Sequence, residues 1–164
     1  MAKKTKLDLG LIATFVAAVL GVIAVISLFL PAIAIKDADT TYSGLQVVFG
    51  YTKKTELFGS TVSTEILKFS FMNLLTFILA IVGVVFTVLG YLGKGSKFAT
   101  LIATAAYLVA GIFFLLTISF TIPAVDENLV EKTKEFYSLG AGAIIGAVCS
   151  FLSAIASGYK LIVK

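Results

Sequence analysis

The fold is decided by residues 36–68, which read KDADTTYSGLQVVFGYTKKTELFGSTVSTEILK. Charged side chains recur along this segment, and their cost in hydrocarbon keeps it out of lipid. Apolar and aromatic residues alternate there with a period of two, at Leu45, Val47, Phe49 and Tyr51. Residues 61–68 are rich in Val, Ile and Thr, which is also typical of β-strands. The segment therefore predicts a small antiparallel sheet.

Turn chemistry in the same segment divides the predicted strands. It occurs at Gly50, at the Thr52-Lys53-Lys54 cluster and at Gly59-Ser60. We expect a first strand over residues 32–36, ahead of the segment, because Pro31 ends the preceding helix. A hairpin alone is marginal in water, so we expect the flanking apolar runs to hold the sheet at both ends.

Four uncharged runs fill most of the chain, namely residues 9–35, 69–93, 98–125 and 136–159. Each is longer than the roughly 20 residues that cross a hydrocarbon core. The chain has 164 residues, of which 59% are hydrophobic, and its mean hydropathy is +1.07. We predict an α-helical membrane protein: a four-transmembrane-helix bundle with a small extracellular antiparallel β-sheet. The single domain, 1–164, has helices at 9–31, 71–93, 98–120 and 137–160, an outer β-rich loop at 32–70 and a second outer loop at 121–136.

The lysines predict the orientation of these helices. The two termini and the turn at residues 94–97 together carry seven lysines and one acidic residue, whereas the two loops carry six lysines and eight acidic residues. Positive charge is retained on the cytoplasmic side, so we expect both termini inside and both loops outside a plasma membrane. The net charge of +4 reflects this asymmetry and predicts no nucleic-acid partner. The basic residues are all Lys, and Arg, His and Trp are absent, which favours a bacterial source.

Small residues form stripes that predict close helix packing. The first helix has such a stripe at Ala17, Gly21 and Ala24, and the last helix has one at Gly142, Gly146, Ser150, Ala154 and Gly158. In lipid, small side chains let two helix backbones approach closely. The stripe on the last helix fits packing within one chain, which we favour, or a homodimer face.

Three further local expectations concern the helix ends. Asn73 is expected to make a structural hydrogen bond near the outer end of the second helix. Residues 117–123 alternate and predict an extra strand. Residues 126–135 lead into the last helix without Gly or Pro, so we expect that helix to start early and project outward.

A short motif resembles the claudin-like tetraspan group, which includes claudins and peripheral-myelin-type proteins. Tyr42, Gly44 and Leu45 are similar to the outer-loop signature of that family, with Gln46 where the family has Trp, and Pro31 stands where claudins often have proline. The resemblance implies a left-handed four-helix bundle whose outer sheet comes mostly from the first loop. The family's two loop cysteines are absent, since Cys149 is the only cysteine and lies in the last apolar run.

Three functional classes follow from these residues. An enzyme is disfavoured, because the chain has no His and its lone Cys lies in an apolar run. Exposure of the loops to solvent explains the carboxylates in them. No catalytic, cofactor-binding or metal-binding residue is therefore predicted. An oligomeric channel or small transporter component is the alternative, and hydroxyls on the helices would line it. A hydrogen bond from each hydroxyl to a backbone carbonyl of its own helix is the simpler explanation of these residues. Those hydroxyls belong to Thr76, Thr87, Thr104, Ser150, Ser153 and Ser157. We favour a structural, adhesive or accessory interaction subunit, with the lipid bilayer and either a protein partner or a second copy as its partners.

Overall fold

The computed structural model describes residues 8–93 and 96–162. Four helices in this part of the chain are long and apolar enough to cross a membrane: Leu9–Phe29, Phe71–Tyr91, Lys97–Leu115 and Ala141–Ile162. The predicted mostly helical chain with small antiparallel sheets is confirmed. Five lysines used to predict the orientation, Lys3, Lys4, Lys6, Lys94 and Lys164, lie outside the described residues.

The described residues form helices and strands in a mixed order. The α-helices are α1 (Leu9–Ile26), α2 (Gly44–Phe49), α3 (Phe71–Tyr91), α4 (Ser96–Leu115), α5 (Thr117–Phe120), α6 (Val130–Glu135) and α7 (Ala141–Ile162). The strands are β1 (Pro31–Ile35), β2 (Thr41–Ser43), β3 (Tyr51–Leu57), β4 (Ser60–Lys68), β5 (Ile122–Pro123) and β6 (Tyr137–Leu139). Short 3-10 turns occupy Ser27–Phe29 and Glu127–Leu129.

The four long helices pack with their neighbours antiparallel. Helices α1 and α4 each contact both α3 and α7. All the strands lie at one end of these helices, which we call the sheet end. The opposite end, where α1 and α4 begin and α3 and α7 end, we call the turn end.

The long helices bury mostly small side chains, with Phe77, Tyr107 and Phe114 as large exceptions, and they expose large apolar ones. Helix α1 buries Thr14, Ala17, Gly21 and Ala24, and the buried residues of α7 are all Gly, Ala, Ser or Cys. In contrast, Phe15 on α1 and Ile155 on α7 are 69% and 68% exposed. Burial of apolar surface drives folding in water, so this distribution is the reverse of a soluble helical protein.

Two three-stranded antiparallel sheets cover the sheet end. Sheet A has the order β2-β1-β6 and sheet B the order β3-β4-β5. Four of the strands come from residues 31–68, and the segment between α4 and α7 adds one strand to each sheet. Residues 31–68 and the segment between α4 and α7, which we call the outer segments because they lie beyond the ends of the long helices, are therefore interlocked. Ile33 pairs with Leu139, and Leu67 pairs with Pro123.

The predicted strand through Leu45, Val47 and Phe49 is wrong, because these residues form helix α2. Ser43 and Gln46 make a reciprocal capping box: the Gln46 side chain accepts from the Ser43 N–H at 2.9 Å, and the Ser43 hydroxyl accepts from the Gln46 N–H at 3.4 Å. This cap satisfies donors at the start of a helix. Val47 and Val48 are then buried together, which alternation in a strand would prevent.

Three other local predictions need correction. The Thr52-Lys53-Lys54 cluster is not a turn, because it pairs with Glu65, Thr64 and Ser63 inside the β3–β4 ladder. Residues 117–123 form α5 before the two-residue strand β5, rather than one strand. The last helix begins at Ala141 and does not project outward, because β6 pairs with β1 immediately before it.

Candidate functional site

A small apolar core holds the two sheets together at the sheet end. It consists of the buried residues Ala32, Ile33, Tyr42, Val47, Leu67 and Tyr137. The Tyr42 ring lies 5.7 Å from the Tyr51 ring, centroid to centroid. Burial in this sheet core raises the pKa of Tyr42 and of Tyr137. Both side chains therefore stay neutral at physiological pH and act as packing groups.

Hydrogen bonds join the two outer segments around this core. The Lys36 N–H and ammonium donate to the carbonyls of Phe136 and Glu135, at 2.7 and 2.6 Å. The Ala124 N–H donates to the Ile66 carbonyl at 2.9 Å, and the Ser70 hydroxyl donates to the Phe120 carbonyl at 2.6 Å. The segment between α4 and α7 is thereby fixed to the first outer segment.

The β3–β4 hairpin extends beyond the sheet core. Its base, at Tyr51, Ile66 and Leu67, packs into that core. Between Thr52 and Glu65 every residue whose side chain is described is exposed, so neither face of the hairpin is covered. At about 3.3 Å per residue, strand β4 places the tip roughly 26 Å along the ladder from Lys68.

An aromatic side chain stands at the tip of this hairpin. Phe58 has a relative exposure of 107%, and its φ is +51°, in the left-handed region that non-glycine residues rarely adopt. Gly59 follows with φ +81° and completes the turn. Positive φ at both residues is what a two-residue type I′ hairpin turn requires, and this turn places a large apolar side chain at the tip, exposed on all sides.

The hairpin also has a free edge. Strand β3 pairs only with β4 in sheet B, so its other edge lacks a ladder partner among the described residues. Such an edge can accept a further strand by backbone hydrogen bonding. Lys53, Lys54 and Glu56 lie along it and oppose uncontrolled pairing.

The structure places the four residues of the claudin-like motif around the sheet core. Pro31 begins β1, Tyr42 is 7% exposed, and Leu45 is half-buried in α2. Gly44 is buried at the end of the first helix, where a Cβ would lie 2.7 Å from the Leu28 carbonyl oxygen. Gln46, which stands where the family has Trp, serves instead in the cap of α2.

The small-residue stripes face other helices of the same chain. A Cβ atom at Gly146 would lie 2.5 Å from the Phe114 ring, and a Cβ atom at Gly142 would lie 2.8 Å from the Ser27 carbonyl. At Gly158 a Cβ atom would lie 3.5 Å from the Thr104 methyl, which is ordinary contact. Ser150 and Ala154 are buried on the same face of α7. On α1, Ala17 is buried and Gly21 lies against Tyr107.

Tyr107 is the principal packing residue that the sequence did not single out. It is fully buried, and its hydroxyl donates to the Ala17 carbonyl at 3.3 Å. Its ring fits between Gly21 on α1 and Gly83 on α3, where a side chain on either glycine would collide with it. The available signal was a lone tyrosine in an otherwise alanine-rich stretch of helix.

The six hydroxyls proposed to line a channel divide into three groups. Thr76, Thr87 and Thr104 donate to the carbonyls four residues earlier, at 3.0, 2.8 and 2.9 Å. Ser153 and Ser157 instead donate across helices, to the Ala17 and Thr100 carbonyls at 3.1 and 3.4 Å. The expectation that all these hydroxyls bond within their own helix is therefore wrong for the two serines. No partner is found for the Ser150 hydroxyl within the described part of the chain.

Asn73 makes a structural hydrogen bond at the sheet end of α3. Its Nδ2 donates to the Thr121 hydroxyl at 3.4 Å, and its backbone N–H donates to the Ser70 hydroxyl at 3.3 Å. Its Oδ1 is buried beside a cavity of about 10 Å³, with no partner in residues 8–93 and 96–162. A single water fits a space of that size.

Chemistry-bearing residues do not cluster in the described ranges. Groups of three or more His, Cys, Asp or Glu that could hold a metal ion are absent from them. Cys149 is buried in α7.

No protein-family model, curated protein or solved structure matches the chain.

Proposed function

We propose that the chain is a multi-pass membrane protein whose four long helices form a transmembrane bundle. Support comes from the length and composition of these helices and from their inverted packing, with mostly Gly, Ala, Ser and Thr inside and most of the large apolar side chains outside. Lipid tails solvate large apolar side chains, and small residues allow close helix contact, so this packing suits a bilayer.

The proposed orientation places both termini and the turn end in the cytoplasm and the sheet end outside a plasma membrane. The lysine distribution supports it. A claudin-like arrangement is part of this proposal. It is supported by the sequence Tyr42-Ser43-Gly44-Leu45 and by β-structure at the sheet end that comes mostly from residues 31–68.

Within this frame the protein acts as a non-enzymatic interaction subunit, and the β3–β4 hairpin binds a protein partner. The single observation that carries this function is the fully exposed Phe58 at the tip of a hairpin with two uncovered faces. Aromatic anchors supply much of the binding energy in protein interfaces. The free β3 edge offers backbone hydrogen bonds beside that anchor.

Purification in a gentle detergent tests this function. We expect wild-type protein to co-purify with a stoichiometric partner, either another protein or a second copy, and Phe58→Ser to lose it, while both have the same melting temperature. Leu129→Ser removes an exposed apolar side chain from the other outer segment and serves as the control. Equal partner occupancy in Phe58→Ser and wild type would disprove the role of the hairpin.

The oligomeric channel is the weaker alternative. Its proposed lining needs free hydroxyls, and of the six only Ser150 lacks a partner in the described part of the chain. The other five donate to carbonyls of their own helix or of a neighbouring helix. Ion flux from liposomes that contain the purified protein would favour the channel instead.

A further inference from the structure

Two adjoining cavities lie at the turn end of the helices. The first has a volume of about 450 Å³ and is lined by residues from the ends of all four long helices. The second is a groove of about 520 Å³ between α1 and α3. Leu11, Thr14 and Tyr91 line both, so the cavity and the groove adjoin along these side chains.

The first cavity has a mixed polar and apolar lining that includes positively charged residues. Its charged lining residues are Lys97 on α4, Lys160 on α7 and Asp8 ahead of α1. The Asp8 carboxylate already accepts the Gly10 and Leu11 N–H groups, at 3.0 and 3.2 Å, and thereby caps α1. The Lys160 ammonium donates one hydrogen bond to the Gly90 carbonyl at 3.1 Å, and an ammonium has three donors. Among the described residues that line this cavity, two lysines stand against one carboxylate that is already hydrogen-bonded, which makes the cavity complementary to an anion.

The groove is apolar and suits a hydrocarbon chain. Its lining includes Ile12, Phe15 and Val88, with Ala18 and Thr87 at its floor, where small side chains leave room between α1 and α3. It runs from the charged cavity along the outside of these helices. A molecule that fills both spaces must have an anionic head and an apolar tail.

We propose that these two spaces form a binding site for one anionic phospholipid. Its headgroup phosphate lies in the cavity beside Lys97 and Lys160, and an acyl chain lies in the α1–α3 groove. Basic pockets between membrane helices are suited to such headgroups. The inference goes beyond the partner-binding hairpin and depends only on the membrane-insertion part of the proposed function.

Lipid titration of the purified full chain, followed by native mass spectrometry, tests the site. The probes are dioleoyl phosphatidylglycerol, dioleoyl phosphatidylcholine and glycerol 3-phosphate. We expect the first bound phosphatidylglycerol to be preferred over phosphatidylcholine, and glycerol 3-phosphate to bind only weakly because it has no tail. Lys97→Gln and Lys160→Gln should each weaken the binding of phosphatidylglycerol about fivefold.

Two further variants make the test specific. Lys53→Gln makes the same charge change on the exposed β3 strand and should leave lipid affinity unchanged. Ala18→Phe fills the groove from a partly exposed position and should weaken the binding of both lipids. If Lys160→Gln fails to fold, Lys97→Gln carries the charge test alone.

Three outcomes would overturn the proposal: equal binding of the two lipids by wild type, an equal effect of Lys53→Gln and Lys97→Gln, or glycerol 3-phosphate binding as tightly as phosphatidylglycerol. The last would assign the cavity to a soluble phosphate compound. Loss of the protein partner in Phe58→Ser is measured separately, so failure of either proposal is distinguishable from failure of the other.

Discussion

At the scale of single residues, Tyr42 stabilises the sheet end more than its place in a three-residue strand suggests. Its ring is buried in the sheet core and packs on Tyr51, whereas Lys53 on β3 is exposed. Tyr42→Ala should lower the free energy of unfolding by about 3 kcal/mol, through lost burial and a cavity, and Lys53→Ala by less than about 0.5 kcal/mol. Thermal unfolding in detergent measures both. Equal melting temperatures for the two variants would contradict this role of Tyr42.

The two buried tyrosines of the sheet core also predict a dependence on alkaline pH. Burial raises the pKa of Tyr42 and of Tyr137 in the folded state, so the neutral form is favoured there. The resulting stabilisation is complete below the unfolded value of about 10 and is lost as pH rises through the higher folded values. Melting temperatures between about pH 9 and 11 should fall less steeply for Tyr137→Phe than for wild type. Parallel curves of melting temperature against pH for wild type and Tyr137→Phe would refute the prediction.

At the scale of elements, helix α7 packs closely against α4 at Gly146, because glycine has no side chain there. The Phe114 ring that faces this glycine is itself held by Phe77, edge to face at 5.1 Å between centroids. Gly146→Leu should therefore cost about 3 kcal/mol, because the leucine side chain would overlap the Phe114 ring. Ile145→Leu, at a partly exposed neighbouring position that conserves volume, is the matched control and should be nearly silent.

Melting temperature and particle size in detergent together show which surface the stripe of small residues on α7 packs against in the Gly146→Leu test. Loss of the folded state is the expected result and assigns the stripe to packing within the chain. A folded particle of smaller size would assign it to a subunit interface instead. No change in either quantity would mean that the stripe faces lipid.

Elements differ in how far sequence could predict them. The four long helices follow from apolar runs that need no tertiary information. Helix α2 does not, because six residues contain too few turns for helical periodicity to outweigh alternation. The one sequence signal for it is Ser43 followed three residues later by Gln46, which is the spacing of a capping box. Strand β6 was missed for another reason: its partner β1 lies far away in sequence, and three residues carry no strand pattern of their own. The Phe58 tip follows from neither pattern, since its exposure depends on how the hairpin leaves the core.

At the scale of the whole molecule, the orientation in the membrane is open to a direct test. Single cysteines at Lys53 and Ser96, in a Cys149→Ala background, should react differently with a membrane-impermeant thiol reagent. In intact cells we expect Lys53→Cys to label and Ser96→Cys to label only after permeabilisation, because the positive-inside rule places the turn end in the cytoplasm. Labelling of Ser96→Cys in intact cells would reverse the proposed orientation.

The position of β1 between β2 and β6 has a consequence for biosynthesis. Strand β1 obtains its second ladder only when a strand about a hundred residues later arrives, as the Ser138 hydroxyl bond to the Ala34 carbonyl spans 104 residues. At about 5–20 residues per second, a ribosome needs roughly 5–20 s to supply that stretch. During this interval a nascent chain displays an unpaired strand edge, which chaperones and quality-control proteases recognise. Chains that stop before residue 137 never close that edge, so they should be degraded rather than accumulate.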